Sequence, residues 1–422
     1  MLNHICSFID KVFFNFYPMF MKAFFLSIIA YSLSFSVFCQ MPTTWRGPNQ
    51  SGVYEEQDLL NRWPTSGPEI DWNFDGLGVG YSSPTFANNA IYVSGMEGST
   101  GYIYVLSMSG QLKWKSAYGE EWDNSYEGTR ATPVIAGDQL YILSGMGELT
   151  CMNAQNGQRI WSKNIFKEFN GRNIEWGINE TVVIHEEKLI CTPGGTQNNI
   201  IALDRNSGKL IWSTKGKGEK SAYCTPLLAK IGSRNLLVTH TEDNILGIDA
   251  DEGSLLWNYS HTNTYSIHPN TPLIHNDQVF CFSGYGQGGV MLQLFQDGKS
   301  ASKKWVSKTM DSRIGGAVFM NGKIYGSGDK SRQWQCVDWE TGNVEYTSKE
   351  IGNGVVIAAD GKLYWYSQRG ELALVKPGAS SFEIISKARV SLGSGQHWAH
   401  PVINKGRLFV RHGDTLIAYK IK

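Results

Sequence analysis

The sequence has little charge and no excess of either sign. Charged residues make up 18% of its 422 residues, and 38 lysines and arginines balance 38 aspartates and glutamates. A protein without net charge has no general electrostatic attraction to nucleic acid or to an anionic membrane surface. The composition therefore predicts neither class of partner, although a local basic patch stays open.

Signatures of familiar metal and catalytic sites are also missing. The sequence contains no CxxC pair, no cysteine–histidine spacing of a zinc site, no GxSxG string and no paired-carboxylate signature. Two of the seven cysteines lie in the N-terminal 40 residues. The other five lie in apolar strand patterns: Cys151, Cys191, Cys224, Cys281 and Cys336. An odd number cannot pair completely, and we predict buried small hydrophobic residues rather than a disulfide framework.

The apolar segment 21–40 has one positive charge, Lys22, and a small residue near its end, as a secretory signal does. We predict that 1–39 is a signal peptide cleaved after Cys39, with 1–20 a mis-assigned start. The mature protein is then periplasmic or secreted. An uncleaved membrane anchor, or an outer-membrane lipoprotein attached through Cys39, are the alternatives.

The sequence is rich in glycine and aromatic residues, which favours an all-β protein. It has 46 glycines and 12% aromatic residues. Strings such as SGQLKW and NSGKLIW recur, each with an aromatic residue four positions after a glycine. The closing aromatics are 41 to 51 residues apart: Trp114, Trp161, Trp212, Trp257, Trp305 and Tyr346. This spacing is near the ~40–45 residues of a four-stranded propeller blade. Strand alternation places Leu210 on the same face as Trp212.

Two weaker copies of the repeat follow the six clear ones and bring the number of predicted blades to eight. One copy near the C terminus has Ile385 or a neighbouring residue in place of the aromatic, and the last copy ends after three strands. Its fourth strand is predicted at 69–74, where Trp72 has no preceding strands of its own. We therefore predict an eight-bladed β-propeller over 69–422, with 40–68 as a lead-in segment. Closure by an N-terminal strand removes the open edges of the ring.

The string ALDRNSGKLIW, which begins at Ala202, resembles the repeat of the pyrroloquinoline quinone (PQQ) propeller superfamily. GIDADEGSLLW and CVDWETGNVEY fit the same frame. WRGPNQSG at Trp45, followed by GYSSP, resembles secreted bacterial PQQ-like repeat proteins. The resemblance covers nearly all of the predicted mature chain. It implies either a quinoprotein dehydrogenase or a cofactor-free scaffold like the lipoprotein of the outer-membrane barrel-assembly machinery.

The dehydrogenase branch implies PQQ held against a pair of adjacent cysteines, and calcium held by Glu and Asn oxygens near a catalytic Asp. No two cysteines are adjacent here. EWGINET, with Glu175, Asn179 and Glu180, is the nearest match to the calcium ligands. It is equally a blade start in which Thr181 replaces the usual Thr-Pro. We predict no cofactor and no metal, with PQQ and calcium as the alternative.

Residues just before each innermost strand are predicted to surround one mouth of the central channel. They are Tyr81, Arg130, Asn179, Tyr223, His268, Arg313, Asn353 and Trp398, with Trp176, His397 and His400 close by. Such residues suit a sugar, a carboxylate or a peptide. We predict a monomeric, non-catalytic binding or assembly scaffold whose partner is a cell-envelope protein, a peptide or a carbohydrate. A further alternative is a propeller-type polysaccharide lyase, with a His or Tyr base, or another carbohydrate-active enzyme.

Overall fold

The computed structural model describes residues 42–422. The predicted signal peptide and Cys39 lie outside the described residues. Within 42–422, no helix has the length and apolar character needed to cross a membrane. The five remaining cysteines are all buried and free, which confirms their prediction as small core residues.

Eight antiparallel sheets of four blade strands each confirm the predicted all-β, eight-bladed propeller. A 3-10 turn (Pro48–Gln50) and two strands, β1 (Val53–Tyr54) and β2 (Ile70–Asp75), precede the first blade. Blades 1 to 4 consist of β3 (Thr85–Ala87), β4 (Ala90–Glu97), β5 (Thr100–Ser107) and β6 (Leu112–Glu120); β7 (Val134–Ala136), β8 (Gln139–Leu143), β9 (Glu148–Asn153) and β10 (Arg159–Asn164); β11 (Val183–His185), β12 (Lys188–Cys191), β13 (Ile200–Asp204) and β14 (Leu210–Thr214); and β15 (Leu227–Ile231), β16 (Arg234–His240), β17 (Asn244–Asp249) and β18 (Leu255–Ser260). A short helix, α1 (Ile165–Phe169), follows β10.

Blades 5 to 8 repeat the same meander. They consist of β19 (Leu273–His275), β20 (Gln278–Ser283), β21 (Gly288–Phe295) and β22 (Ser300–Ser307); β23 (Ala317–Met320), β24 (Lys323–Gly328), β25 (Gln333–Asp338) and β26 (Val344–Ser348); β27 (Gly354–Ala359), β28 (Lys362–Ser367), β29 (Glu371–Pro377) and β30 (Phe382–Arg389); and β31 (Val402–Asn404), β32 (Arg407–His412) and β33 (Thr415–Lys420) with β2.

The recurring Gly and Trp meet across the seams between neighbouring blades. The indole of Trp212 in blade 3 lies under the turn at Gly253 in blade 4, and its Nε1 donates to Ala250 O at 3.2 Å. Gly253 has a φ of +78°, and a Cβ added there would lie 2.6 Å from the indole. The glycine is therefore needed twice, for its backbone conformation and for its lack of a side chain. The same contact recurs for Trp72 with Gly110, Trp114 with Gly157, Trp161 with Gly208 and Trp305 with Gly342.

The outermost strand of blade 3 contains a β-bulge, so the prediction that Leu210 and Trp212 lie on the same face is wrong. The register of β13 and β14 shifts so that Leu203 faces Leu210 while the preceding Ala202 faces Trp212. An extra residue in one strand breaks the two-residue period. As a result Trp212 is only 8% exposed, whereas Leu210 is 49% exposed.

Blade 8 is closed as predicted, by a strand from the other end of the chain. β2 pairs antiparallel with β33, and Trp72 lies opposite Ala418. Trp72 Nε1 then donates to Met108 O of blade 1 at 3.2 Å, which closes the ring. The predicted segment 69–74 differs from the observed strand by one residue at each end.

The lead-in segment adds structure that the repeats did not predict. Thr43 forms an antiparallel bridge with Ile135 of blade 2, and β1 pairs parallel with β27 of blade 7. The 3-10 turn between them contacts β15 of blade 4. Because these partners are the first strands of three separate blades, the segment 42–54 crosses the central channel.

Arg46 explains the WRGPNQSG string. Its guanidinium is buried and donates to Gln50 O, Val356 O and Ala317 O. The chain curls around this side chain through Gly52, where a Cβ would lie 2.2 Å from Arg46 Nη2. The string is thus a compact turn built around one buried cation.

Candidate functional site

The face of the propeller that carries the loops between blades contains a central cup of about 420 Å³. This volume lies within the range of small-molecule sites. The lining residues include Trp45, Tyr81, Tyr126, Arg130, Trp176, Asn179, Tyr223, Tyr265, Tyr285, Arg313, Ile314, Trp398 and His400.

Six of the eight residues predicted to surround the channel mouth line this cup. They are Tyr81, Arg130, Asn179, Tyr223, Arg313 and Trp398, and Trp176 and His400 line it as well. The position just before an innermost strand therefore points toward the axis in most blades. His268, His397 and Asn353 are not among the lining residues.

His268 points into the seam between blades 4 and 5 instead of the channel. It is fully buried, stacks on His240 at 4.5 Å, and its Nδ1 lies 2.7 Å from Ser283 Oγ. The ring also approaches Glu242 O through Nε2 at 3.1 Å. Because both ring nitrogens have partners in the seam, the loop turns this imidazole away from the axis.

His397 and Asn353 are also displaced from the cup. The His397 ring stacks on His412 at 3.8 Å, and its Nδ1 lies 2.6 Å from Tyr366 Oη. Burial lowers the pKa of His397 to about 4. Asn353 lines a second, polar groove beside the cup.

Aromatic side chains form two walls of the cup. On one side Trp398 contacts Tyr81 at 5.0 Å and Tyr126 at 5.4 Å between ring centroids. On the other side Tyr265 contacts Tyr285 at 4.7 Å and Trp176 at 6.4 Å. Such flat, rigid and amphipathic surfaces suit the apolar faces of sugar or aromatic rings.

Two guanidinium groups lie in the cup in different states. Arg130 Nη1 donates to Gly128 O at 3.0 Å and Nη2 donates to Tyr126 O, and no described carboxylate forms an ion pair with it. Burial lowers the pKa of Arg130 from its usual value, which reflects the cost of a poorly solvated cation. Arg313 is neutralised, because its Nε donates to Asp329 Oδ1 at 2.9 Å.

The floor of the cup comes from the lead-in segment. Trp45 lies edge-on to His400 with 4.9 Å between ring centroids. His400 Nδ1 lies 2.9 Å from Arg46 Nη1, and its Nε2 lies 3.2 Å from Ile314 O. Because the guanidinium must donate to Nδ1, Nε2 carries the proton and donates to the carbonyl. Both nitrogens of His400 are therefore occupied.

The cup is poor in groups that could exchange protons with a substrate. Of its described lining residues none is a carboxylate. Burial holds the pKa of His400 well below its usual value, and burial raises the pKa of Tyr223, whose hydroxyl accepts from Trp176 N at 3.2 Å. Neither residue is suited to act as a general base near neutral pH.

Several lining residues escaped the sequence analysis. Tyr126 and Tyr265 lie farther back in the loops between blades, and Tyr285 lies in the turn between the second and third strands of blade 5. That turn lies on the same face as the loops between blades in every meander. The signal that the sequence offered was the presence of tyrosines in both kinds of loop. Trp45 gave no such signal, because the segment that carries it has no repeat.

The candidate ligands for calcium and PQQ do not form a site. Glu175 is exposed at the surface, whereas Glu180 is fully buried. Burial raises the pKa of Glu180 to about 8, and neither of its carboxylate oxygens has a hydrogen-bond partner among the described residues, but this side chain does not line the cup. Only Asn179 of the three lines the cup. The buried cysteines also offer no pair to hold the quinone, so the donor set does not fit this cofactor.

Residues 42–422 contain one group of side chains that could hold a metal ion, and it lies on the face opposite the cup, in turns between the first and second and between the third and fourth strands of neighbouring blades. It consists of His185, Glu186 and Asp251. Lys188 Nζ lies 3.7 Å from Asp251 Oδ1 and already supplies positive charge there. This cluster has no connection to the cup.

Comparison with known proteins assigns the family. The family model described as "Outer membrane protein assembly factor BamB" matches residues 53–198 and 99–348, which together are more than half of the chain. The chain belongs to this family of PQQ-like propellers. A curated relative, the quinoprotein ethanol dehydrogenase of Pseudomonas aeruginosa, is 22% identical over 122 residues, which cover 28% of this PQQ-like propeller and 19% of the dehydrogenase. The match thus spans about a fifth of the relative's length.

Solved structures of both functional classes share the fold. BamB from Moraxella catarrhalis has a TM-score of 0.59 at 14% identity, covering 84% of this PQQ-like propeller and 100% of that chain. A europium-containing methanol dehydrogenase has a TM-score of 0.63 at 13% identity, covering 86% and 88%. At such identities the likeness shows the fold alone.

Proposed function

We propose that this PQQ-like propeller is a non-catalytic binding protein of the cell envelope that holds an acidic sugar in its central cup. The observation that carries the proposal is Arg130, a cation in an aromatic cup that forms no direct ion pair with a carboxylate of residues 42–422. Glu121 acts on Arg130 without bonding to it, and a carboxylate ligand would supply the direct partner through a charge-assisted hydrogen bond. The aromatic walls would stack on the faces of the sugar ring.

The chemistry of the lining favours binding over turnover. A lyase acting on a uronate needs a base within reach of the sugar, and the cup offers no carboxylate and an imidazole whose two nitrogens are occupied. Burial also raises the pKa of Tyr81, Tyr223 and Tyr285, which makes these tyrosines harder to ionise. A quinoprotein mechanism needs a calcium and quinone site that the donor set does not provide. Binding requires only the shape, the rings and the charge that are present.

Calorimetry with galacturonic acid, and with galactose as the neutral match, tests the proposal. We expect galacturonic acid to bind and galactose to bind at least tenfold more weakly, about 1.4 kcal/mol. R130Q is expected to remove this preference. R205Q is the control, because Arg205 pairs with Glu187 on the outer surface. Equal affinity for the two sugars, or an unchanged preference in R130Q, would overturn the proposal.

The family match supports a second candidate, an assembly scaffold that binds other envelope proteins. Cross-linking in native cells followed by purification tests it, with fractionation to establish the compartment. A stable protein partner whose binding survives R130Q and competes with no sugar would favour the scaffold. Alcohol-dependent dye reduction after adding PQQ and calcium would instead favour the dehydrogenase.

A further inference from the structure

We propose that a polar groove beside the cup continues the binding site, so that the protein recognises the end of an acidic oligosaccharide of several units. This inference rests on the proposed sugar-binding function and names the length and charge of the ligand. It is carried by the groove's shape, by its unbalanced cations and by the wall that it shares with the cup.

The groove lies on the same face as the cup and extends over blades 5 to 7. It encloses about 950 Å³ and is formed by loops between blades and by turns between second and third strands. Tyr265, Tyr285 and Arg313 line both the cup and the groove. Because these residues form a wall common to both, a ligand that fills the cup can extend directly into the groove.

The acidic residues of the groove already have partners. Asp329 accepts from Arg313 Nε at 2.9 Å, and Glu350 lies 3.6 Å from Lys387 Nζ. Glu371 Oε2 accepts from Gly352 N and from Ser367 Oγ, each at 3.1 Å. Asp329 and Glu350 are thus paired with cations, whereas the partners of Glu371 are neutral and it keeps its negative charge. The groove is lined by five basic and three acidic residues.

The basic residues of the groove are not balanced in this way. Lys330, Arg332, Lys349 and Arg369 line it, are exposed, and form no ion pair with any carboxylate in residues 42–422. The whole chain is neutral, so this is a local excess of positive charge on an otherwise balanced protein. A concave surface of one sign attracts a ligand with repeated charges of the other sign.

The cup indicates which class of polyanion the protein binds, and it indicates that the end of the polyanion chain enters the cup. Tyrosines at the junction of cup and groove offer ring faces that a sugar can stack on at successive units. Trp45 closes the cup below, and the segment 42–54 crosses the channel behind it, so a chain cannot pass through. The terminal unit of an acidic chain fits the cup, and the following units fit the groove.

Calorimetry with galacturonic acid oligomers of one to six units tests this inference. We expect affinity to rise at least tenfold from one unit to about four and to weaken with salt, since exposed charges are screened. The double variant K330Q/R369Q is expected to keep wild-type affinity for the monomer and to lose the gain with length. A charge-matched double variant away from the groove, K209Q in the turn before β14 with K303Q in β22, is expected to change neither.

The outcomes separate this inference from the proposed function. Monomer binding with no gain from added units would overturn the groove and leave the cup. Absence of monomer binding in the wild type would overturn the proposed function itself. Equal affinity for a glutamate peptide or a single-stranded DNA of the same charge, again lost in K330Q/R369Q, would show that the groove binds polyanions but that the sugar class is wrong.

Discussion

Most seams between neighbouring blades bury an aromatic side chain from the outermost strand of a blade. The seam between blades 7 and 8 also buries an aromatic side chain, but this residue comes from a different part of the sequence. In a regular seam the closing Trp of one blade lies under the Gly turn of the next, as Trp212 does under Gly253. Blade 8 has no such turn, because its third strand ends near the C terminus and its fourth strand is β2. At that seam the aromatic comes from the lead-in segment.

Blade 7 has Ser386 where other blades have the closing aromatic. The register of β29 and β30 shifts so that Leu374 faces Ser386, as Ala202 faces Trp212 in blade 3. Trp63 fills the space: it is 3% exposed, and its backbone N donates to Ser386 Oγ at 3.0 Å. The neighbour of Ile385 that replaces the aromatic is therefore Ser386.

The lead-in also ties blades 7 and 8 together through its backbone and its carboxylates. Leu59 N donates to Asp360 Oδ2 of blade 7 at 3.0 Å, and Leu60 N donates to Ile421 O at 2.7 Å. Gly406 N of blade 8 donates to Glu56 Oε2 at 2.6 Å. The comparison shows that a seam needs a buried aromatic and not a particular position in the sequence for it.

The largest effect is expected from a substitution in the seam between blades 7 and 8. W63A is expected to cost about 3–5 kcal/mol of unfolding free energy, the range for removing a buried Trp side chain. W212A, at a regular seam, serves as the reference and is expected to fall in the same range. Urea titrations of both variants measure this. A loss below about 1 kcal/mol for W63A, with W212A in the expected range, would mean that the lead-in does not stabilise the seam.

The next effect tests the Gly turn of the regular seam. G253A is expected to cost about 1–2 kcal/mol for the left-handed backbone and a further ~1–3 kcal/mol for contact with the Trp212 indole. Gly361 is the control, because its φ is +68° and a Cβ there would meet nothing within 4 Å. G361A should show the backbone cost alone. Equal losses for the two alanine variants would contradict the close approach of the indole.

The seam between blades 4 and 5 differs from the others because it buries three imidazoles. Burial lowers the pKa of His261 to about 3 and of His268 to about 4, and it holds the pKa of His240 well below its usual value. Below pH ~6.5 the unfolded chain binds more protons at these residues than the folded one. Their stabilising contribution is therefore full above pH ~6.5 and is lost as the pH falls toward about 4.

Substitution of one imidazole measures this loss. H268N is expected to remove about 1.4 kcal/mol per pH unit from the dependence of stability on pH between 6.5 and 5. Urea titrations at several pH values, compared between wild type and variant, isolate the contribution of this residue from that of the carboxylates. Parallel pH curves would show that His268 is not buried as a neutral ring.

The smallest effect concerns the charges at the closing strand. Arg407 Nε lies 2.7 Å from Asp71 Oδ2, and Lys420 Nζ lies 3.7 Å from Asp71 Oδ1. Partly exposed pairs of this kind contribute little, so D71N is expected to cost less than about 1 kcal/mol. The loss should shrink further in high salt. A loss as large as that of W63A would show that charge, and not burial, closes the ring.

The candidate site was only partly predictable from the sequence. Counting back from each innermost strand found the arginines and most aromatics of the cup, because the meander brings that position to the same face in every blade. It did not separate His268, which turns into a seam, from Arg313, which reaches the cup. Side-chain direction at the end of a loop depends on which partners the neighbouring blades offer.

The sequence by itself determined the number of blades, the strand that closes the ring and the burial of the cysteines. These follow from short-range patterns, a Gly turn followed by an aromatic strand, which recur often enough to be counted. Only the tertiary structure decided that the lead-in crosses the channel, that Trp63 replaces a missing blade aromatic and that Trp45 closes the cup. The lead-in has no repeat, and its contacts join residues hundreds of positions apart, so no local pattern could indicate them.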